Sequence, residues 1–149
     1  MHFLHKLRRL ALRLLRVRTR GVKVMLFNGK GELLLVRNSY GQTHLYLLPG
    51  GGVGRRETPE AAAAREVQEE VGLEVQQLAL VSSHFSAAEG RRDTIHLFLA
   101  KAEGEPVPDR TEVLEAGFFP LDRLPEGVSA ATLRRIAEYQ GARQADGSW

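Results

Sequence analysis

Glu66, Glu69 and Glu70 stand close together and directly follow Arg65. On a helix their spacing is i, i+3 and i+4, which puts all three carboxylates on one face. Like charges this close repel, and a face meant only for solvent usually intersperses lysine or arginine. A hard divalent cation removes the conflict: oxygen ligands carrying concentrated negative charge suit Mg²⁺ or Mn²⁺. The bland alternative is a solvated acidic helix with no chemistry.

The residues around the three glutamates mark a helix. Thr58 fits the N-cap and Pro59 the first helical position, where its missing N–H costs nothing. Glu60 complements the positive end of the dipole, and Ala61 to Ala64 are strong helix formers. Gly72 suits a left-handed C′ position after Val71. Upstream, Gly50, Gly51, Gly52 and Gly54 let the backbone turn tightly and approach a ligand, and a glycine loop entering a helix is a place to hold phosphate oxygens.

Gly51, Glu57, Arg65, Glu66, Val67, Glu69, Glu70, Gly72 and Leu73 together resemble the Nudix box with no position missing. Family-like segments continue outside it: GELLLVR before, LYLLPGG at its entrance and EVLEAGFFPLDRLP after, so that the resemblance covers about Arg20 to Ala137. Gly54-Arg55-Arg56 departs from the commoner acidic and Pro-Gly or Gly-Gly pattern, at variable positions of the box that bear on substrate rather than metal.

The resemblance implies a pyrophosphohydrolase that uses Mg²⁺ or Mn²⁺. It would cleave the phosphoanhydride of a nucleoside diphosphate linked to a further group X and release a nucleoside monophosphate. Transferred position by position, it makes Glu66, Glu69 and Glu70 the metal ligands, with the Gly50 carbonyl as an additional one. Arg65 and Glu57 become a pair that orients them. The general base is not kept in one place in the family: Glu69 is the candidate inside the box, and Glu115 and Glu112 are candidates outside it. A second function class is a non-catalytic Nudix-like nucleotide sensor, although such modules typically lose box carboxylates. A third reading, a decapping-type hydrolase acting on RNA ends, stays within the enzyme class.

Weaker assignments concern substrate. Gly51 and Gly52 would approach the diphosphate, and Arg37, with Arg91 and Arg92, could meet phosphate, against the reading of ordinary surface charge. Tyr40, Tyr46 and Phe85 could stack on a base, though such residues more often belong to core or rim. His44, His84 and His96 have no metal-like spacing, and His96 in an apolar strand reads as a core histidine.

These residues need a scaffold, and 149 residues with 43% hydrophobic and 26% charged content suffice for one domain with a real core. The absence of cysteine excludes disulfides, thiol nucleophiles and zinc–thiolate sites, and no apolar run approaches a membrane span. The net charge of +3 hides an asymmetry. Residues 1–20 hold 7 of the 21 basic residues and no acid, leaving 14 basic against 18 acidic, or −4, in the remainder. The acidic body gives no reason to expect specific nucleic-acid binding.

Residues 1–19 read as a basic amphipathic helix, with Phe3, Leu7, Leu10, Leu14 and Val17 on one face and Lys6, Arg9, Arg13 and Arg16 on the other. Arginines interrupt what a signal peptide would keep apolar, and the lack of serine is poor for a transit peptide. Packing on the chain's own domain, a homodimer contact, and peripheral attachment of residues 1–18 to anionic lipid compete. The expected location is cytoplasmic, peripheral to a membrane if the lipid reading holds.

The expected fold is α/β (α+β), the Nudix arrangement of a mixed sheet between helices. Strands are predicted at Val22–Phe27, Leu33–Val36, Leu45–Leu48, Val75–Phe85, Thr94–Lys101 and Phe118–Phe119. Asn28 to Gly31 form a hairpin signal, Glu89-Gly90 a turn, Glu103 to Asp109 a loop, and Ala130 to Tyr139 a closing helix. The hydrolase domain is set at 20–140, with 141–149 a frayed tail.

Overall fold

A computed structural model describes residues 20–86 and 93–149. The expected N-terminal helix, the Glu89-Gly90 turn, Arg91 and Arg92 lie outside the described residues. The strands are β1 (Arg20–Phe27), β2 (Leu33–Asn38), β3 (Tyr46–Leu47), β4 (Gly50–Gly52), β5 (Gln76–Ser86), β6 (Asp93–Lys101) and β7 (Val113–Phe119). The helices are α1 (Pro59–Val71) and α2 (Ala130–Tyr139).

The sheet runs β3-β2-β1-β6-β5, with β4 added to β1 and β7 to β2. It is mixed, because β1 and β6 are parallel and the other pairs antiparallel. Alternation along β1 and β2 sorts the core into two layers. Val22, Val24, Leu26, Leu34 and Val36 pack with Ala62, Ala63, Val67 and Val71 of α1. Met25, Phe27, Leu33 and Leu35 pack with Leu48, Leu97 and Ile136 of α2. The sheet therefore lies between the two helices, as expected.

Local chemistry explains the helix limits. The Thr58 side chain accepts from the Ala61 amide at 3.2 Å, and Gly72 at φ 71° ends α1. Ser129 caps α2 by accepting from Thr132 N–H.

Three expectations are corrected. The glycine run is partly a strand: Gly50, Gly51 and Gly52 pair with Lys23, Val22 and Gly21. The strand at Phe118-Phe119 is much longer and begins at Val113, held against β2 by main-chain pairing that local propensity does not reveal. The 141–149 end is not frayed. Its last residues extend the β5 edge, where Phe85 N–H donates to Gly147 O at 2.8 Å and Trp149 N–H to Phe85 O at 3.0 Å. Among the described residues, no helix is long and apolar enough to cross a membrane.

Candidate active site

The box folds into strand, loop and helix, so that β4 faces α1. The helical period of α1 buries Glu66 and Glu70 together with Ala62, Ala63, Val67 and Val71. Glu66 is 0% and Glu70 2% exposed, although carboxylates are rarely buried without a purpose. Gly50 N–H donates to Glu70 Oε2 at 3.2 Å. Glu69, one residue along the helix, is more open to solvent.

Arg65 ties the cluster together. Its Nε and Nη2 donate to the two oxygens of Glu57 at 2.6 and 2.8 Å, and Nη2 also donates to Gly52 O at 3.0 Å. Its Nη1 donates to Glu66 Oε1 at 3.1 Å and lies 3.6 Å from Glu69 Oε2. Hydrogen bonding to Glu57 raises the guanidinium pKa above its already high usual value, so Arg65 is permanently a cation. Glu57 also accepts from Gly54 N–H at 2.9 Å, which fixes the loop to the helix.

Two glycines are required here. A Cβ on Gly51 would run into the Glu66 carboxylate, and one on Gly50 would strike the Val22 carbonyl oxygen. The bare Gly51 backbone thus leaves the space that the Glu66 carboxylate occupies. Among the described residues no three acidic or histidine side chains converge as a closed metal cage. The donor set is nonetheless right for a hard divalent cation: Glu66, Glu69 and Glu70 offer only oxygen, from one helix face, against a backbone strand that offers carbonyls.

Other predicted residues assemble elsewhere. Arg37, Tyr46 and Glu115 meet on the α2 side of the sheet: Arg37 forks onto Glu115 at 3.2 and 2.7 Å, and the Tyr46 hydroxyl donates to Glu115 at 2.8 Å. Hydrogen bonds from Arg37 and then Tyr46 hold the Glu115 pKa below the usual carboxylate range, and Glu115 raises that of the Tyr46 phenol. A carboxylate held as an anion in this way is a poor proton acceptor. Arg37 also donates to Thr43 O at 2.8 Å, so the trio braces the segment leading into β3. Glu112, by contrast, is buried immediately before β7.

Phe85 is 70% exposed on β5, apart from both clusters, and only its backbone is engaged with the last residues. Among the described residues the buried histidine is His84 rather than His96, which bonds Ser83 across the β5–β6 pair at 2.9 Å. A cavity of about 380 Å³ opens on the α2 side, bordered by Lys23, Leu48, Ser129 and Trp149. Sequence reading missed Lys23 and Trp149. The single lysine inside an otherwise apolar β1 was the available signal for the first, and a lone tryptophan for the second.

A model of the NUDIX domain matches residues 17–139. The chain belongs to the Nudix family. The MutT NUDIX hydrolase of Burkholderia pseudomallei is similar in structure, with a TM-score of 0.69, 31% identity, and coverage of 83% of this chain and 97% of that one. The isopentenyl-diphosphate Delta-isomerase of Streptomyces griseus is 36% identical over 120 residues, 72% of this chain and 59% of the relative. An RNA pyrophosphohydrolase of Yersinia enterocolitica is 42% identical over 62 residues, 42% of this chain and 34% of the relative. This Nudix chain therefore spans less than two thirds of the length of these curated relatives.

Proposed function

We propose that this Nudix protein is a divalent-metal-dependent pyrophosphohydrolase acting on a nucleoside diphosphate linked to X, such as a nucleoside triphosphate or nucleotide sugar. The observation that carries the reading is the pair of buried carboxylates, Glu66 and Glu70, set against the glycine backbone of β4. Glu66, Glu69 and Glu70, with the Gly50 carbonyl, would hold Mg²⁺ or Mn²⁺. When bound, the ion supplies charge neutralisation at the diphosphate and a lowered pKa for water.

The residues of the chain supply the rest. Arg65 and Glu57 keep the carboxylates aimed, and the Gly51–Gly52 backbone leaves room for diphosphate oxygens. Water attacks one phosphorus as its proton passes to a base, the bond from that phosphorus to the bridging oxygen breaks, and a nucleoside monophosphate leaves. Glu69 is the base we favour, because it shares the helix face with the buried pair while Glu115 is engaged by Arg37 across the sheet. Residues 1–18 would serve contact beyond the domain, with anionic lipid or a second copy of the chain.

A panel of nucleoside triphosphates, nucleotide sugars, ADP-ribose and dinucleoside polyphosphates, with Mg²⁺ or Mn²⁺, tests this, and reaction in ¹⁸O-water identifies the phosphorus attacked. Turnover of phosphomonoesters alone would reject the reading. The Streptomyces relative motivates a second one, in which the organic part of a diphosphate ester is isomerised. Conversion of isopentenyl diphosphate without phosphate release would select it.

A further inference from the structure

Arg135 is 0% exposed, and a buried guanidinium needs several partners to offset desolvation. Its Nη1 donates to His84 Nδ1 at 2.9 Å and to Ser148 O at 2.8 Å, and its Nε and Nη2 meet Glu138 at 2.9 and 3.0 Å. The guanidinium also lies over the Trp149 ring, 5.0 Å from its centroid. His84 meets the same indole edge-on at 5.6 Å. From outside, Arg134 donates to Trp149 O at 2.8 Å, and the Phe85 backbone grips both sides of Ser148. All of this effort fixes one aromatic ring.

That ring borders the 380 Å³ cavity, whose size falls within the usual range for small-molecule sites. Its other walls include the apolar Leu48, with Lys23, Gln42, Ser129 and Thr132 adding polar groups. Lys23 pairs with Gly50 in the β1–β4 register, and Gly50 N–H donates to Glu70. The Lys23–Gly50 backbone pair thus lies between the cavity on one face of the sheet and the Glu70 carboxylate on the other. An aromatic wall beside mixed apolar and polar side chains suits a planar heterocycle with hydrogen-bonding edges.

We infer that Trp149 is the stacking platform for the nucleobase of the substrate, with Arg135 and His84 as positioning residues that hold the indole in place. The inference rests on the hydrolase reading for its choice of ligand, but its test does not need turnover. Trp149 is the only tryptophan in the chain, so the intrinsic emission reports on this ring alone. Titrating the full chain with AMP, GMP, CMP and UMP should give saturable quenching with at least one, whereas inorganic pyrophosphate should give none.

Trp149→Leu should raise KM for the best panel substrate about tenfold or more with a much smaller change in kcat, and Trp149→Phe should recover most of the loss. Arg135→Met should lower the emission anisotropy of Trp149 and raise KM in the same direction. Hydrolysis with KM unchanged in Trp149→Leu would overturn the platform and leave the hydrolase reading standing. Saturable quenching without any hydrolysis would do the reverse. Unchanged emission with every nucleotide, or equal quenching by pyrophosphate, would also overturn it.

Discussion

Arg65 and Glu57 face each other as a fork, with both guanidinium-to-carboxylate bonds shorter than 2.9 Å although the two stand eight positions apart across loop and helix. The pair carries the geometry of the box, since the same guanidinium reaches Glu66 and the Gly52 carbonyl. Glu57→Gln should therefore act through aim rather than through loss of a ligand. A charge-assisted bond contributes about 1.5–3 kcal/mol, so kcat/KM should fall roughly 10- to 100-fold. Arg65→Lys should fall comparably, because an ammonium cannot serve three acceptors as a fixed fork. Steady-state kinetics at saturating Mg²⁺ checks both, and near-normal values would remove the positioning role.

Glu70→Gln and Glu69→Gln test the cation directly. Each removes a charge from the proposed ligand set, and turnover should drop about 100-fold or more while the circular dichroism spectrum is retained. Chelator should abolish activity in the unaltered chain. Full turnover of Glu70→Gln at saturating metal would show that the ligands lie elsewhere.

Gly51→Ala and Gly50→Ala should fail in different ways. The Cβ on Gly51 meets the end of the Glu66 side chain, which can rotate away, so activity is lost before the fold. The Cβ on Gly50 meets the main chain of Val22, which cannot. Overpacking costs about 1–3 kcal/mol, or a melting temperature lower by roughly 2–12 °C at this size. Parallel melting curves and assays separate the two, and the reverse ranking would contradict the steric account.

His84 should make stability depend on pH. His84 Nδ1 lies 2.9 Å from Arg135 Nη1, which can only donate, and 3.1 Å from the Ser148 carbonyl, which can only accept; with Nδ1 accepting from the shorter, charged partner, Nε2–H donates to Ser82 Oγ at 2.7 Å. Burial, then the Arg135 charge, push the imidazole pKa below its usual 6.5, although the Ser148 carbonyl, then Glu138 and Asp146, pull the other way. The folded state thus holds the ring neutral while the unfolded chain takes a proton near pH 6.5. Stability is full above that pH and declines as pH falls from there towards the depressed folded value. His84→Asn keeps an acceptor without a titration, so its melting temperature should vary less across that window. Parallel curves for the two proteins would count against this.

How much of this was legible in the sequence depended on whether the signal was local. α1 and α2 were bounded correctly because caps, proline, alanines and glycine act within a turn, and the box acids follow helical spacing. β7 was seen only at its end, since Val113 to Gly117 owe their strand to pairing with β2. The Arg37–Glu115 pair spans 78 positions and the Arg135–His84 pair 51, distances at which spacing says nothing. Trp149 looked like part of a loose end because the residues that hold it come from β5 and α2.

Residues 1–18 provide the last test. The proposed ligands, base and orienting pair all lie at Gly50 or beyond, so deletion should leave kcat/KM on soluble nucleotides largely unchanged. If the basic face meets lipid, the full chain should bind vesicles containing phosphatidylserine and be released by high salt, since exposed charges are screened within about 8–10 Å at 0.1–0.15 M salt. If the apolar face of Phe3, Leu7, Leu10, Leu14 and Val17 joins two copies, deletion should instead halve the mass measured by light scattering. Vesicle sedimentation and light scattering on the full and shortened chains decide between these contacts. Neither vesicle binding nor a change in mass would reject both, and a large loss of turnover would show that the segment contributes to the active site.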